Sequence, residues 1–471
     1  FSRPLQESFA FSEGAPAELP KPAEHGVKIG FSADYAKPSG RVVLSGARLI
    51  TMKGDEVIED GVVVINGNRI EAIGPRGSVS VPTDARVMDM AGKTIIPGLV
   101  DAHWHGSMGS DEIIPQQSWV NYAALAFGVT TIHDPSNDSS EIFAHSELAK
   151  AGRVVGPRIF TTGTILYGAN TPFTAQVNDL DDALSNLRRM QAIGAWSVKS
   201  YNQPRRDQRQ QILEAGRELG MMVVPEGGSL YQHNMSMVVD GHTTIEHSIP
   251  LARLYADVHQ LWRQTKVAYT PTLVVAYGGN WGENYWYQAT DVWNDPILTK
   301  YVPRRILDSR ARRPVHVPEN ELNHIAIAHE AKRLADEGVS VQIGAHGQRE
   351  GLGAHWELWM FEQGGMTPHE ALRVGTLNGA AALGMDKDIG SLETGKLADL
   401  VVLDANPLEN LRNTVKIGYT MINGRIFDNQ MNEVGQPPRQ PFWHQTADGQ
   451  AWSAGAASAE ADSHGHSHGH D

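Results

Sequence analysis

The sequence predicts an α/β protein: a (β/α)8 TIM barrel joined to a small composite β-sandwich module built from both ends of the chain. Through the middle of the chain, apolar β-like runs alternate with helical stretches, which is typical of a parallel barrel. Short alternating runs separated by turn residues occur near both ends and not between them. The length of 471 residues is enough to bury the core of a barrel and of a smaller module.

The barrel strands are expected at the apolar runs of the central region. Active-site residues of such a barrel lie at the carboxyl ends of its strands, so polar residues at those ends are the first candidates for a site. The residues Thr367-Pro368-His369-Glu370, before an apolar helix, are typical of a capping box. The expected strands lie near residues 97–103, 128–134, 158–163, 196–201, 221–226, 242–247, 267–273 and 339–346.

The domain boundaries follow from where these patterns change. The β module is expected in residues 41–95 plus 388–428, and the barrel in residues 96–387. Residues 1–40, rich in Pro, Ser and Gly, are expected to form an extended arm or linker. Residues 429–471 are expected to be a tail. Its end, 463–470, alternates His with Ser or Gly and fits a metal-gathering segment, a disordered tail or a purification tag.

Composition excludes several classes of function. A net charge of −14 argues against nucleic acid or an anionic membrane as the main partner. No run of about 18 apolar residues suggests a membrane span. The absence of cysteine excludes disulfides, thiolate ligands and a cysteine nucleophile. The chain starts at Phe1 without a signal peptide, so a mature or processed chain is expected.

The most informative stretch is the run Pro97-Gly98-Leu99-Val100-Asp101-Ala102-His103-Trp104-His105. Alternate side chains of a strand share a face, so His103 and His105 can point at one ion. Neutral imidazole is the commonest protein ligand for zinc and similar metals. A metal centre is therefore expected at the end of the first barrel strand.

With the preceding Gly-Lys-Thr-Ile-Ile-Pro-Gly at 92–98, this stretch resembles the signature of the amidohydrolase superfamily of metal-dependent hydrolases. The closest likeness is to the prolidase-like and imidazolonepropionase-like branch. The resemblance spans most of residues 41–428 and includes the segment 390–400, a typical return into the β module. Residues 347–358 further resemble a branch often fused to an amino-terminal TolB-like propeller. That branch implies a propeller before this chain and a periplasmic or secreted location, with a cytoplasmic one as the alternative.

The resemblance also implies a ligand set. It makes Lys199, at the end of the fourth strand, a lysine that CO2 carboxylates and that bridges two metal ions. Such carboxylation requires an uncharged amine, which burial and a nearby cation favour. His247, at the end of the sixth strand, matches a histidine ligand of the family, whereas His242 lies earlier on that strand and is not expected to bind metal.

The chain departs from the family pattern at two positions. Glu226 stands at the end of the fifth strand where a histidine is expected, and His346 stands at the end of the eighth where an aspartate is expected. Together the changes exchange a histidine and a carboxylate, which conserves the ligand charge and favours a working, rearranged site. We expect His103 and His105 to hold one ion, His247 and Glu226 the other, and carboxylated Lys199 to bridge them.

The expected function is hydrolysis of an amide or peptide C–N bond by a metal-bound hydroxide. His346, which is also a candidate ligand, is the first choice for the proton carrier and Glu226 is the second. Two divalent ions are expected, with zinc the default and Mn, Co or Fe also compatible. The alternatives are an ester, lactone or phosphoester hydrolase at the same site, and a catalytically inactive scaffold.

Further residues are candidates for contact with a small-molecule or peptide substrate, and a homo-oligomer is expected. The aromatic segment 277–293 is expected either to close over the barrel mouth or to be a packing or oligomer patch. His133 and Asp134, at the end of the second strand, are expected beside the metals or the substrate. The substrate candidates are Tyr201, Tyr231, Trp286, Tyr287 and His355.

Overall fold

The computed structural model describes residues 30–109, 113–115, 117–169, 174–277, 279–311 and 314–437. The predicted arm as far as residue 29 and the tail from residue 438, with its histidine-rich end, lie outside the described residues. The strands are β1 (Arg41–Ile50), β2 (Val57–Asn66), β3 (Arg69–Pro75), β4 (Arg86–Asp89), β5 (Thr94–Pro97), β6 (Leu99–Asp101), β7 (Val129–Asp134), β8 (Arg158–Thr161), β9 (Leu166–Tyr167), β10 (Ser197–Tyr201), β11 (Met222–Pro225), β12 (Thr244–Glu246), β13 (Ala268–Thr270), β14 (Leu400–Leu403), β15 (Ile417–Ile422) and β16 (Arg425–Asp428).

The helices occupy the connections between the parallel strands and the segment before β14. They are α1 (Trp119–Ala126), α2 (Ser139–Lys150), α3 (Leu180–Ala192), α4 (Arg206–Leu219), α5 (Tyr231–Asp240), α6 (Ala256–Trp262), α7 (Glu283–Ala289), α8 (Leu298–Tyr301), α9 (Arg304–Ala311), α10 (His324–Asp336), α11 (Leu352–Gln363), α12 (Pro368–Arg373) and α13 (Gly379–Ala382). The capping box at the start of α12 is confirmed. The Thr367 hydroxyl accepts the Glu370 N–H at 3.2 Å, and the Glu370 carboxylate accepts the Thr367 N–H at 2.7 Å.

Strands from both ends of the chain form one sheet. Its order is β16-β15-β14-β5-β1-β2-β3, with β4 added in parallel to β1. The central pair joins the two chain segments, because β14 runs antiparallel to β5 with Leu400 opposite Pro97. An apolar cluster that includes Leu44, Ile65 and Leu400 is buried in this part of the molecule. The eight strands of this module belong to a single hydrogen-bonded sheet.

The central strands pair in parallel, in the order of the chain, as expected of alternating strands and helices. The pairs are β6 with β7, β7 with β8, β9 with β10, β10 with β11, and β12 with β13. A backbone hydrogen bond also links β11 to β12, because the Thr243 N–H, just before β12, donates to the Val223 carbonyl of β11. The observed architecture is thus mixed α/β with short parallel strands.

The expected eighth strand at 339–346 is not a regular strand. It forms an isolated bridge between Val341 and Tyr269, and its backbone bonds are divided between two neighbours. On one side Gln342 donates to the Tyr269 carbonyl and Tyr269 donates to the Ser340 carbonyl. On the other side Ala102 donates to the Ile343 carbonyl and His346 donates to the His103 carbonyl. Two bonds to each neighbour hold this segment in place without a continuous ladder.

The largest hydrophobic core lies between the parallel strands and their helices. It includes Ile132, Ile245 and Val341 from the strand region together with Trp356 and Phe361 from α11. Among the described residues, no helix is both long enough and apolar enough to span a bilayer.

Candidate metal centre

Two histidines lie directly after the end of β6. The strand ends at Asp101, so His103 and His105 project from an irregular segment and not, as expected, from the strand itself. Their Nε2 atoms nevertheless lie 3.1 Å apart, and their rings meet edge-on with centroids 5.0 Å apart. The two histidine rings therefore converge, as the His-x-His spacing predicts, but they do so just beyond the end of the strand.

A carboxylate holds the other nitrogen of each ring. Glu246 Oε2 lies 2.5 Å from His103 Nδ1, and Asp134 Oδ1 lies 3.0 Å from His105 Nδ1. An ionised carboxylate only accepts hydrogen bonds, so each Nδ1 carries the proton in these pairs and each Nε2 keeps its lone pair. Two lone pairs thus face each other inside the protein.

His346 and His247 complete a ring of four imidazoles. The centroid of His346 lies 4.7 Å from that of His105 and 5.1 Å from that of His247, which in turn lies 4.8 Å from that of His103. One ligand atom each from His103, His105 and His346 lies within 4.8 Å of the others. Four histidines from three separate parts of the chain therefore share one small volume.

A second group lies beside these rings at the ends of β10, β11 and β12. Lys199 Nζ is 2.7 Å from Glu226 Oε2, and His247 Nε2 is 3.0 Å from Glu226 Oε1. Neither Glu226 Oε2 nor His247 Nε2 makes an aligned hydrogen bond, although both atoms are buried. The opposite ring nitrogen, His247 Nδ1, lies 2.7 Å from the Thr272 hydroxyl.

The backbone at the centre is held in an uncommon conformation. His247, Thr272 and His346 have φ values of 66°, 46° and 55°. Left-handed backbone is uncommon for residues other than glycine and costs of order 1–3 kcal/mol in unfavourable cases. Its occurrence at three residues of one cluster shows that the surrounding packing imposes the positions of these side chains.

Two glycines allow the strand ends to approach this closely. A Cβ on Gly347 would lie 1.8 Å from the His105 carbonyl oxygen, and one on Gly227 would lie 1.6 Å from the Glu246 carbonyl oxygen. Gly347 also has a φ of 69°. Each glycine follows a predicted site residue, His346 or Glu226, so a side chain at either position would push the centre apart.

Burial and mutual charge govern the ionisation of the centre. Burial, with further contributions from the neighbouring cationic groups, lowers the pKa of His346 to about 2 and holds the pKa of His103 well below its usual range. Burial opposes ionisation of Glu226, but the close contact with His247 and the Lys199 charge outweigh it and lower the pKa of this carboxyl. Burial raises the pKa of Glu246 to about 8, whereas a cation bound at His103 Nε2 would favour the ionised carboxylate that accepts from Nδ1. Burial thus favours the neutral forms of His346 and His103, and metal ligands must be neutral imidazoles.

These residues fit a divalent cation. Two Zn–N bonds of about 2.0–2.1 Å in tetrahedral geometry place the nitrogens about 3.3 Å apart, close to the observed separation of the Nε2 atoms of His103 and His105. His247 Nε2 and Glu226 Oε2, which are buried and make no aligned hydrogen bond, add one nitrogen and one oxygen donor. Mixed N and O donors suit zinc and other divalent ions.

The remaining sequence candidates have other surroundings. His133 uses both ring nitrogens, towards the Ala102 carbonyl at 3.2 Å and the Ser197 hydroxyl at 3.0 Å, so it links strands. Tyr201 is half-buried, with its ring centroid 5.3 Å from Lys199 Nζ. Tyr231 begins α5 and packs partly buried against the core. His242 Nδ1 lies 3.2 Å from the Met237 carbonyl oxygen, away from the cluster.

Three of the substrate candidates are core residues, which corrects the expectation that they contact substrate. Trp286 and Tyr287 are 1% and 4% exposed and pack against Trp356, with ring centroids at 6.2 and 5.6 Å. His355 is 1% exposed and contacts the Phe127 carbonyl oxygen and the Thr414 hydroxyl. These contacts favour the interpretation in which the aromatic segment packs inside the protein, because a substrate could not reach the rings without displacing the core.

Sequence reasoning missed several residues of the centre. Glu246 stands directly before His247, and the sequence motifs do not identify it. The signal that the sequence does contain is a carboxylate inside an apolar strand. Tyr277, whose ring centroid lies 5.1 Å from that of His247, was noted only as part of an aromatic segment. Thr272 gave no signal, since a threonine near a strand end is ordinary.

The fold and the centre together define a class of protein: an α/β enzyme whose histidine-rich metal site lies at the carboxyl ends of parallel strands. The sequence model of the amidohydrolase family matches residues 94–427, more than half of the chain. The chain therefore belongs to the amidohydrolase family, as its sequence motifs indicated.

Similar proteins cover most of the chain. A 5-methylthioadenosine/S-adenosylhomocysteine deaminase of Moorella thermoacetica is 24% identical over 403 residues, which are 78% of this chain and 86% of the relative. An imidazolonepropionase of Sphingopyxis alaskensis is 25% identical over 415 residues, 82% of this chain and 96% of the relative. A solved Xaa-Pro dipeptidase with bound methionine has a TM-score of 0.63 at 20% identity and covers 83% of this chain and 100% of its own. At that identity the structural likeness shows the fold alone.

Proposed function

We propose that this chain is a metal-dependent hydrolase that cleaves an amide or peptide C–N bond. The observation that carries the proposal is the pair of Nε2 atoms 3.1 Å apart on His103 and His105, each directed by a carboxylate on its other ring nitrogen. The names of the relatives, deaminases and an Xaa-Pro dipeptidase among them, support chemistry at C–N bonds. The parallel strand pairs support a closed (β/α)8 barrel as the scaffold.

We assign the ligands as the sequence suggested. His103 and His105 hold one divalent ion, His247 and Glu226 hold a second, and a carboxylated Lys199 bridges them. Lys199 supports this role, because its side chain is 3% exposed and its Nζ lies beside Glu226 and thus beside His247. When bound, such ions polarise the scissile carbonyl and lower the pKa of water towards about 7.

His346 is the residue that moves the proton in this proposal. Its ring faces His103, His105 and His247, and a neutral imidazole has a lone pair that can accept a proton. It takes the proton from the attacking water and passes it to the leaving nitrogen. Glu226 is less suited, because its two oxygens already lie against Lys199 and His247.

The position of His346 also allows a different role, since its ligand atom is grouped with those of His103 and His105. A third nitrogen at the first ion would make it a ligand, and one ring nitrogen cannot bind metal and carry a proton together. The two roles predict different behaviour for His346→Ala. As the proton carrier, its loss lowers kcat about 10²–10⁴-fold with metal retained, whereas loss of a ligand empties a site.

The test is metal content and turnover on the same preparations. We expect close to two divalent ions per chain by elemental analysis and hydrolysis within a panel of amides. His242→Gln is the matched control, because His242 is a buried histidine whose ring contacts the Met237 carbonyl away from the cluster. Absence of bound metal from the reconstituted protein would refute the proposal and favour an inactive scaffold. Turnover of esters or phosphoesters without amides would establish the alternative reaction.

A further inference from the structure

Thr272 lies just beyond β13, a strand that contains neither a histidine nor a carboxylate. The residue is fully buried, and its hydroxyl oxygen lies 2.7 Å from His247 Nδ1. The other nitrogen of the same ring, Nε2, lies 3.0 Å from Glu226 Oε1 and is the proposed ligand atom. Thr272 therefore contacts the ring at the nitrogen opposite the one that would bind an ion.

The backbone of Thr272 has a conformation that is rare for its residue type. Its φ and ψ are 46° and 63°, in the left-handed region, where a β-branched residue is a genuine outlier. Glycine or asparagine would adopt this conformation at a lower cost. Such strain persists only where the surrounding structure imposes it, and it is concentrated at functional sites. The outlier thus indicates a role for the threonine side chain itself.

The packing around Thr272 fixes the direction of its hydroxyl. A Cβ on Gly344 would lie 3.0 Å from the Thr272 methyl carbon and 2.7 Å from the His103 Cβ, so the backbone at Gly344 lies directly against the methyl group. Threonine has few accessible χ1 rotamers, because its Cβ carries two heavy atoms. With the methyl group held against Gly344, the hydroxyl stays directed at the His247 ring.

Two other hydrogen bonds link the segments that follow β12 and β13. The Ser248 hydroxyl accepts the Tyr277 N–H at 2.7 Å, and the Tyr269 hydroxyl accepts the Ile249 N–H at 3.1 Å. Both bonds end on a backbone N–H, so they hold the two segments together without contacting an imidazole. Of these three links, the one from Thr272 reaches a candidate metal ligand.

We propose that Thr272 is a positioning residue that stabilises the metal-binding tautomer of His247. The inference rests on the proposed function, in which His247 is a ligand of the second ion. When Nε2 binds a cation, the ring proton must be on Nδ1, and the Thr272 oxygen accepts it. Without that acceptor, a buried Nδ1–H would have no partner, which is unfavourable. The tautomer with its proton on Nε2, against Glu226, would then be favoured, and that proton would occupy the ligand atom.

Thr272→Val and Thr272→Ser separate the hydroxyl from the rest of the residue. Valine keeps the branched shape and the left-handed backbone cost but lacks the oxygen, whereas serine keeps the oxygen. The assay is a competition titration of the metal-free full chain with zinc in bicarbonate buffer. Thr272→Val should weaken binding of the ion at His247 about 10- to 100-fold, the usual effect of losing a residue that orients a metal ligand. Thr272→Ser should keep most of the parent affinity.

Imidazole ¹⁵N NMR gives a readout that a loss of stability alone would not change. The His247 signals can be assigned by their absence from His247→Gln. In the zinc-loaded parent chain, they should show a protonated Nδ1 and a metal-bound Nε2. In metal-free Thr272→Val, the share of the tautomer protonated at Nε2 should rise relative to the metal-free parent chain.

Ser248→Ala separates the orientation of the ring from the linkage of the two segments. It removes another buried hydroxyl that joins the same segments, next to His247, but through a backbone N–H. It should lower the free energy of unfolding of the metal-free protein without weakening zinc binding at His247. Unchanged zinc affinity in Thr272→Val, an equal loss in Ser248→Ala, or a loss that Thr272→Ser does not restore would overturn the inference. Selective loss of zinc in Thr272→Val, with no amide turnover by the parent chain, would leave this inference standing and refute the proposed hydrolysis.

Discussion

Glu246 offers the sharpest test of how the chain prepares its metal ligands. We predict that Glu246→Gln weakens metal binding while leaving the fold intact. The Thr244 and Thr270 hydroxyls both lie at Oε1 of this carboxylate, and His103 Nδ1 lies at Oε2. With two hydroxyls holding the amide oxygen, the NH2 of glutamine faces Nδ1 and donates to it. That favours the His103 tautomer with its proton on Nε2, the ligand atom.

The magnitude follows from the bonds involved. To free Nε2, the amide must flip and the threonine hydroxyls must reorient, at a cost of roughly one to two net hydrogen bonds, or about 1–2 kcal/mol. Since 1.4 kcal/mol corresponds to a factor of ten, the metal dissociation constant should rise about 5- to 30-fold. This agrees with the roughly 10- to 100-fold effect of other residues that orient metal ligands.

The assay is a competition titration of metal-free protein with zinc against a chromophoric chelator, together with thermal unfolding of the metal-free form. Glu357→Gln is the matched control, because Glu357 is another fully buried carboxylate that accepts the Val274 N–H at 2.7 Å, and in the described part of the chain no hydrogen bond joins it to a histidine. Unchanged zinc affinity in Glu246→Gln, or an equal loss in Glu357→Gln, would refute the reasoning. A large loss of stability before metal is added would show a structural role instead.

Three further predictions concern other parts of the chain. Gly347→Ala should lower both the metal content and the free energy of unfolding, because the new Cβ would meet the His105 carbonyl. The control is Gly384→Ala, because Gly384 has an almost equal φ of 70° but nothing within 4 Å of the new Cβ, so it should lose only the about 1 kcal/mol that a left-handed backbone costs alanine. Burial lowers the pKa of His355 from 6.5 to about 4, so the neutral form stabilises the fold above pH 6.5 and this contribution is lost as the pH falls towards 4. Between pH 8 and pH 5, the free energy of unfolding measured by denaturation should therefore drop by about 2 kcal/mol less in His355→Gln than in the parent chain. An identical pH profile for the two proteins would contradict this. Reconstitution with ¹³C-bicarbonate should give a carbamate carbon signal by NMR that is absent from Lys199→Arg, and its absence from the parent chain would exclude the carboxylated bridge.

The aromatic segment after β13 shows why its role could not be read from the sequence. Its tryptophans are the same residue type in similar sequence surroundings, yet Trp286 is buried against Trp356 while Trp281 is 48% exposed. Hydrophobicity predicts that such residues contact something, but not whether the partner is the core or a ligand. The short helix α7 turns Trp286 and Tyr287 inward, where Trp356 of α11 packs against both rings.

The eighth parallel segment shows a similar limit for secondary structure. Its apolar run suggested a strand as regular as the others, but its backbone bonds are divided between Tyr269 on one side and the residues after β6 on the other. Strand propensity is local, whereas a continuous ladder depends on two neighbours having matching direction and length. The left-handed turn at His346 then ends the extended segment.

The sequence by itself determined the family, the alternation of strands and helices and the candidate ligands, because these are recorded in short spacings and strand-end motifs such as the one containing His103 and His105. Only the tertiary structure decided which groups control those ligands. Glu246 is 143 residues from His103 along the chain, and Asp134 is 29 residues from His105. A local pattern cannot encode such pairs, since the partner of a ring nitrogen is set by which strand ends the fold brings within hydrogen-bonding distance.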